Sequence, residues 1–121
     1  GAEIGAQYEY LPLERRGAFS CGDELIDWVW ETAAYTFHLN CREFFLDGIK
    51  RDHWVWSGDA YQSLFVNRYL FFDPAIEQRT LIAIYGKRPF AQHINTIIDY
   101  TFFWFLVLHE PVPELLGVHT L

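Results

Sequence analysis

The stretch SGDAYQSLFVNRYLFFDPAIEQRTLIAIYG, residues 57–86, decides the fold class. Its apolar residues recur at the spacing of an amphipathic helix. Asp73-Pro74 divides the stretch in two, because Asp is a favoured N-cap and Pro a favoured first helical residue. Gly86 is typical of a helix C-terminus. The stretch therefore predicts two consecutive helices, the first of them capped by Ser57.

The residues before this stretch predict one more helix and an extended lead-in. Ser20, Asp23 and Glu24 resemble a capping box, and apolar residues follow them at helical spacing, so we expect a first helix over about residues 22–39. Residues 7–13 alternate in part and contain a proline, which is typical of a short strand or an extended segment. We expect residues 1–16 to form a lead-in and residues 17–121 to form the helical domain.

The residues after this stretch predict a fourth helix, from near Pro89 to about His109, before Pro111 and Pro113. With no alternation of strands and helices, the fold class is all-α. Residues 102–108 are apolar almost all round the helix, so we expect an oligomer contact or further protein to cover them. The apolar run is well short of the ~20 residues of a membrane helix, and no membrane partner is expected.

Composition narrows the class of protein. Hydrophobic residues make up 51% and charged residues 21%, which excludes intrinsic disorder. The net charge of −7 makes nucleic acid a poor partner.

Cys21 and Cys41 are too few for a disulfide framework, so reduced thiols are expected. Because there is no Met, we expect a processed or excised piece of a longer protein. Nothing in the sequence separates a cytoplasmic from an exported location.

The segment between the first two helices carries the candidate chemistry. Asp47, Asp52 and Asp59 lie within DGIKRDHWVWSGD, residues 47–59, and other polar or aromatic side chains stand between them: Arg51, His53, Trp54 and Trp56. Glycoside hydrolysis needs a carboxylic acid that protonates the leaving oxygen and a carboxylate that activates water. Neighbouring carboxylates and burial against Trp both raise the pKa of an acid.

Other interpretations of the same residues stay open. The acids can form salt-bridged scaffolding, Asp59 can stabilise the first turn of a helix, and Trp54 and Trp56 can belong to the core. His38, Cys41 and His53 lack the partners of a zinc site, so no metal is expected. Ser57-Gly58-Asp59 lacks the context of a serine hydrolase.

A resemblance to a known family favours the chemical interpretation. The runs FLDGIKRDH (residues 45–53) and WSGD (residues 56–59) resemble the central motif of the α-L-rhamnosidases of glycoside hydrolase family 78. The run RGAFSCGDEL (residues 16–25) is similar to that family's entry into its first catalytic helix, and IIDY (residues 97–100) looks like a later helix. The similarity covers about residues 8–108.

The resemblance implies a fold and a set of roles. The fold would be part of an (α/α)6 toroid, with the substrate a rhamnose-containing glycoside. Asp52 would be the general acid, Asp47 and Asp59 would bind sugar hydroxyls, and Arg51 and Trp56 would complete the pocket. The family inverts configuration without a cofactor, so a Glu beyond residue 121 would be the base and the isolated chain would be inactive. Alternatives are a six-hairpin glycosidase for another sugar and a non-catalytic helical module that binds carbohydrate or oligomerises.

Overall fold

The structure is a computed structural model that describes residues 1–7, 9–50, 52–86, 89 and 91–109. These residues form four α-helices and one short 3-10 helix: α1 (Glu24–Asn40), α2 (Ser57–Leu70), α3 (Pro74–Tyr85), the 3-10 helix (Ile94–Thr96) and α4 (Ile98–His109). No strand runs through the described residues, including those of segment 7–13. The prediction of an all-α fold is confirmed.

Helix α3 begins and ends where the sequence predicts. The Asp73 carboxylate accepts a hydrogen bond of 2.9 Å from the backbone N–H of Ile76, and Pro74 is the first helical residue. Gly86 follows the last turn with a φ of 67°, in the left-handed region that favours glycine. Both ends of α3 are therefore set by local chemistry.

Helix α1 begins close to its predicted start, but its N-cap is Asp23 and the predicted capping box at Ser20 is wrong, because the Ser20 hydroxyl donates to the carboxylate of Asp27. The helix also lies further out than its pattern suggests. The Asp23 carboxylate accepts hydrogen bonds from the N–H groups of Leu25 and Ile26. No side chain of α1 is buried, and Leu25 and Trp28 are 67% and 63% exposed. Three of its hydrophobic residues are partly buried and pack against the core: Trp30, Ala34 and Phe37. Much of the apolar face of α1 is thus open in this chain.

The core lies among α2, α3, α4 and the segment that leads from α1 to α2. Its buried residues are Cys41, Phe45, Leu64, Leu70, Phe71, Ile76, Leu81 and Val107. Phe45 comes from the connecting segment, and its N–H donates a hydrogen bond of 3.0 Å to the buried hydroxyl of Thr80 on α3. The beginning of the connecting segment is therefore part of the core.

The lead-in runs along the helices. Leu11 and Leu13 pack against the core, and the N–H groups of Arg16 and Gly17 both donate to the carbonyl of Leu70 at the end of α2. The Arg15 guanidinium pairs with the carboxylate of Glu31 on α1, which raises the pKa of Arg15 and lowers that of Glu31. Residues 11–17 thus connect α1 with α2.

Helix α4 begins at Ile98, so the predicted start near Pro89 is wrong. Asn95 and Thr96 have φ values of 50° and 64°, and this left-handed backbone interrupts a continuous helix. The helix continues to His109, the last described residue, and the predicted stop before Pro111 and Pro113 lies outside the described residues. Phe102, Phe105 and Leu106 are at least half exposed.

None of the helices in the described ranges has the length and apolar character needed to span a bilayer.

Candidate functional site

The connecting segment, residues 41–56, contains a loop that carries Asp47 and Asp52 and whose two ends are hydrogen-bonded to each other. The backbone N–H of Asp47 donates to the carbonyl of Trp54 at 3.1 Å, and the carboxylate of Asp47 accepts from the N–H of Trp54 at 3.0 Å. This double link joins the two ends of a loop over residues 47–54. Asp47 therefore lies at the base of the loop, while Asp52 lies within it.

The N-terminus of α2 is held by residues that are distant in sequence. The N–H of Ser57 donates to the side-chain oxygen of Asn95 at 3.0 Å, and the amide nitrogen of Asn95 donates to the carbonyl of Val55. The predicted capping by Ser57 is wrong: Ser57 is the first helical residue, and its hydroxyl donates to the carbonyl of Tyr100 at 2.7 Å. Asn95 supplies the capping acceptor that Ser57 was expected to provide.

These contacts bring four of the predicted site residues to one cleft of about 460 Å³. The residues around the cleft are Asp47, Gly48, Asp52, Trp56, Asp59, Ile97 and Tyr100. The fifth predicted residue, Arg51, lies outside the described residues. Three carboxylates from the loop and from the first turn of α2 therefore surround the same space as two aromatic rings.

The neighbouring carboxylates act electrostatically on Asp59. Partial desolvation, followed by the negative charge of Asp47 and then that of Asp52, raises the pKa of Asp59, and a hydrogen bond from its own backbone opposes the shift. A raised pKa prolongs the protonated state of a carboxyl group as pH increases, which is the property that a general acid requires.

Trp56 and Tyr100 form the aromatic side of the cleft. Their rings meet edge to face, with centroids 5.9 Å apart. The indole N–H of Trp56 is buried and has no hydrogen-bond acceptor among the described residues. Trp54, by contrast, is 61% exposed, so the interpretation of Trp54 as a core residue is wrong. An aromatic surface beside carboxylates suits the apolar face and hydroxyls of a sugar.

Tyr100 and Ile97 were not predicted as site residues. The only signal was that both lie in the IIDY run, residues 97–100, which resembles a later helix of the same family. Their place at the cleft depends on the packing of α4 against α2. Gly58 allows a close approach there, because a Cβ at this position would lie 3.1 Å from Cε1 of Tyr100.

Within the described ranges, no group of His, Cys, Asp and Glu side chains is arranged to hold a metal ion. The His38 ring nitrogen bonds to the carbonyl of Leu11 at 2.8 Å, and the ring contacts Tyr10 and Phe71. Cys41 is buried in the core, and its thiol donates to the carbonyl of Phe37. The site accordingly offers carboxylate and aromatic chemistry.

No protein-family model matches the sequence, and no curated protein matches it either.

Proposed function

We propose that this chain is the acid-bearing part of an inverting glycosidase that resembles the α-L-rhamnosidases. One observation carries the proposal: Asp47, Asp52 and Asp59 line a single cleft together with Trp56 and Tyr100. In the proposed complex the sugar packs on the aromatic side, and its hydroxyls donate to Asp47 and Asp59. Asp52 protonates the glycosidic oxygen as the bond to the anomeric carbon breaks.

The second half of the proposed reaction needs a base across the sugar ring. Inversion requires a carboxylate about 6.5–9.5 Å from the acid, which removes a proton from the attacking water. We assign this role to a Glu beyond residue 121, in the further hairpins of an (α/α)6 toroid that also cover residues 102–108. General-base catalysis is worth about 10²–10⁴-fold, so the 121-residue chain should bind rhamnose without appreciable hydrolysis.

Asp59 is the second candidate for the acid, because the cleft raises its pKa. The two assignments predict different effects of Asp→Asn substitutions on turnover and on rhamnose binding. These effects are measured in a longer protein that includes the base. If Asp52 is the acid, Asp52→Asn should abolish turnover with little loss of rhamnose binding, whereas Asp59→Asn should weaken binding. The reverse pattern would assign the acid to Asp59.

Calorimetry with L-rhamnose tests the proposal on this chain. We expect saturable binding of L-rhamnose, weaker binding of its enantiomer D-rhamnose, and loss of affinity in Asp47→Asn. Asp99→Asn is the matched control, since this exposed carboxylate on α4 does not line the cleft. Equal heats for the two enantiomers would overturn the proposal. Hydrolysis of an aryl α-L-rhamnoside that Asp52→Asn abolishes would show that this chain already holds a complete site.

A second candidate function is a non-catalytic helical module that assembles through α4. The observation that favours it is the exposure of Phe102 and Phe105, at 60% and 54%, on one short helix. Light scattering after size-exclusion chromatography distinguishes the two functions. A defined oligomer that binds sugar without turnover supports the module, and a stable monomer counts against it.

A further inference from the structure

The side chain of Asn95 is hydrogen-bonded to the backbone on both sides of Trp56. Its oxygen accepts from the N–H of Ser57 at 3.0 Å, and its amide nitrogen donates to the carbonyl of Val55 at 3.2 Å. These two groups belong to the planar peptide units that precede and follow the Cα of Trp56. Because φ and ψ of Trp56 are the rotations of those two units about that Cα, one side-chain amide fixes both angles. The direction in which the Trp56 side chain leaves the backbone is fixed with them.

The ring of Trp56 depends on this backbone for its orientation. Its indole N–H has no hydrogen-bond acceptor in the part of the chain that the structure describes, so no bond of its own orients the ring there. The ring meets that of Tyr100 edge to face, with the centroids 5.9 Å apart, and such pairs occur over a range of centroid distances. A change in φ or ψ of Trp56 would therefore move the ring.

Asn95 occupies a backbone conformation that suits its residue type. Its φ of 50° and ψ of 23° lie in the left-handed region, which Asn adopts more readily than most residues that carry a Cβ. The next residue, Thr96, has a φ of 64°. This turn precedes α4, and the N–H of Ile94 donates to the hydroxyl of Thr101 on that helix at 3.0 Å. The turn brings the Asn95 side chain to the start of α2.

Asn95 supports the aromatic side of the cleft from outside it. Trp56 and Tyr100 line the cleft, whereas Asn95 does not. Ser57 donates its N–H to Asn95 and its hydroxyl to the carbonyl of Tyr100 at 2.7 Å, so the backbones that carry both rings meet at Ser57. An aromatic surface that is ordered before a ligand arrives avoids the cost of ordering it on binding.

We infer that Asn95 is a positioning residue that orients the ring of Trp56 for the sugar that packs on it. This inference rests on the proposed function, because a sugar must occupy the cleft. Asn95 acts through Trp56 and does not touch the sugar.

Three substitutions separate the side chain of Asn95 from the backbone that carries it. Asn95→Gly removes both hydrogen bonds and suits the positive φ. Asn95→Asp retains an oxygen that accepts from the N–H of Ser57 but lacks the donor to Val55. Thr96→Gly is the matched control, because it places a glycine at an exposed position of the same left-handed turn and leaves Asn95 intact.

Nitrogen–proton NMR spectra of the 121-residue chain, recorded during titration with L-rhamnose, measure the ring and the affinity together. The indole N–H signal of Trp56 is assigned by its absence in Trp56→Ala. We expect Asn95→Gly to shift this signal before sugar is added and to weaken L-rhamnose binding about fivefold. Asn95→Asp should weaken it less, and Thr96→Gly should leave both signal and affinity unchanged. In the Trp56→Ala background, Asn95→Gly should cause no further loss of affinity, because its effect passes through the Trp56 ring.

The outcomes separate the positioning role from the proposed function. If L-rhamnose binds equally to the unsubstituted chain and to Asn95→Gly, the positioning role is refuted and the proposed function stands. The same conclusion follows if Asn95→Gly weakens binding as much in the Trp56→Ala background, or if Thr96→Gly weakens it equally. Should Asn95→Gly fail to fold, Asn95→Asp provides the same comparisons. If the unsubstituted chain does not bind L-rhamnose, the proposed function fails and the inference fails with it.

Discussion

The ring of Tyr100 lies against Gly58 so closely that a Cβ at residue 58 would come within 3.2 Å of Cζ and within 3.1 Å of Cε1. The Ser57 hydroxyl, one residue earlier, donates to the carbonyl of Tyr100. The first turn of α2 and the first turn of α4 are therefore joined at the candidate site. This junction holds Asp59 and Tyr100 on the same cleft.

Substitution of Gly58 should affect the site more than the fold. Ala favours a helix by up to about 1 kcal/mol over Gly, but its methyl group would displace the Tyr100 ring by a few tenths of an ångström. We expect Gly58→Ala to change the free energy of unfolding little and to weaken L-rhamnose binding by about 1 kcal/mol, roughly fivefold. Urea titration and calorimetry measure the two effects. Tyr100→Phe, which retains the ring, is the control, and unaltered affinity in Gly58→Ala would contradict the prediction.

Substitution of Gly17 should destabilise the whole chain. A Cβ there would overlap the carbonyl of Tyr69 and lie 3.1 Å from Cα of Leu70, both of which are backbone atoms that cannot turn away. The lead-in would have to separate from the end of α2 and lose its hydrogen bonds to Leu70. We expect Gly17→Ala to cost about 1–3 kcal/mol in urea unfolding. Gly5→Ala has open space and should be neutral; equal effects of the two substitutions would refute this explanation.

Glu77 should make the chain less stable as pH rises. Glu77 as a residue is only 4% exposed, and its carboxylate accepts a hydrogen bond of 2.7 Å from the amide of Asn67, yet burial raises its pKa. Because the folded state holds the proton more tightly than the unfolded state, stability falls as pH rises above the ordinary range of glutamate, and the penalty persists at neutral pH.

Glu77→Gln retains an acceptor for Asn67 and removes the charge. We expect a higher free energy of unfolding at neutral pH and a smaller loss of stability between acidic and neutral pH. Urea titrations across this range provide the measurement. Glu43→Gln, at an exposed position, is the control. A lower stability of Glu77→Gln at neutral pH would show that the charged hydrogen bond outweighs the burial.

The pKa of Asp59 should depend on the loop at the cleft. Its raised value results from desolvation, then from Asp47, and to a smaller extent from Asp52. We expect Asp47→Asn to lower the pKa of Asp59, and Asp52→Asn to lower it less, because each removes a repelling charge. Carboxyl carbon chemical shifts followed through a pH titration measure this, with Asp99→Asn as control. A pKa of Asp59 in the ordinary aspartate range would contradict the described arrangement.

The two cysteines should react very differently. Cys21 is exposed, whereas Cys41 is buried in the core, where desolvation and then the charge of Asp73 raise the pKa of its thiol to about 12. Since the thiolate is the nucleophile, we expect an aromatic disulfide reagent to modify one thiol in the native chain and two in denaturant. Cys21→Ser should leave the native chain unreactive. Rapid native modification of Cys41 would mean that the core opens.

The sequence by itself determines the helical class and several helix ends. The Asp73 cap, the Pro74 start and the Gly86 stop act within a few residues, so their effect is visible in the local pattern. The three candidate carboxylates are likewise visible, since they occur within one short run.

Only the tertiary structure decides how the site is assembled. Asn95 caps α2 from 38 residues away, and this contact accompanies the left-handed backbone that delays the start of α4 to Ile98. Tyr100 reaches the cleft through a contact with Ser57 across 43 residues. The exposed apolar face of α1 has the same origin, because periodicity shows which side chains share a face but not whether another element packs against it. Helix caps depend on neighbours in the chain, whereas these features depend on neighbours in space.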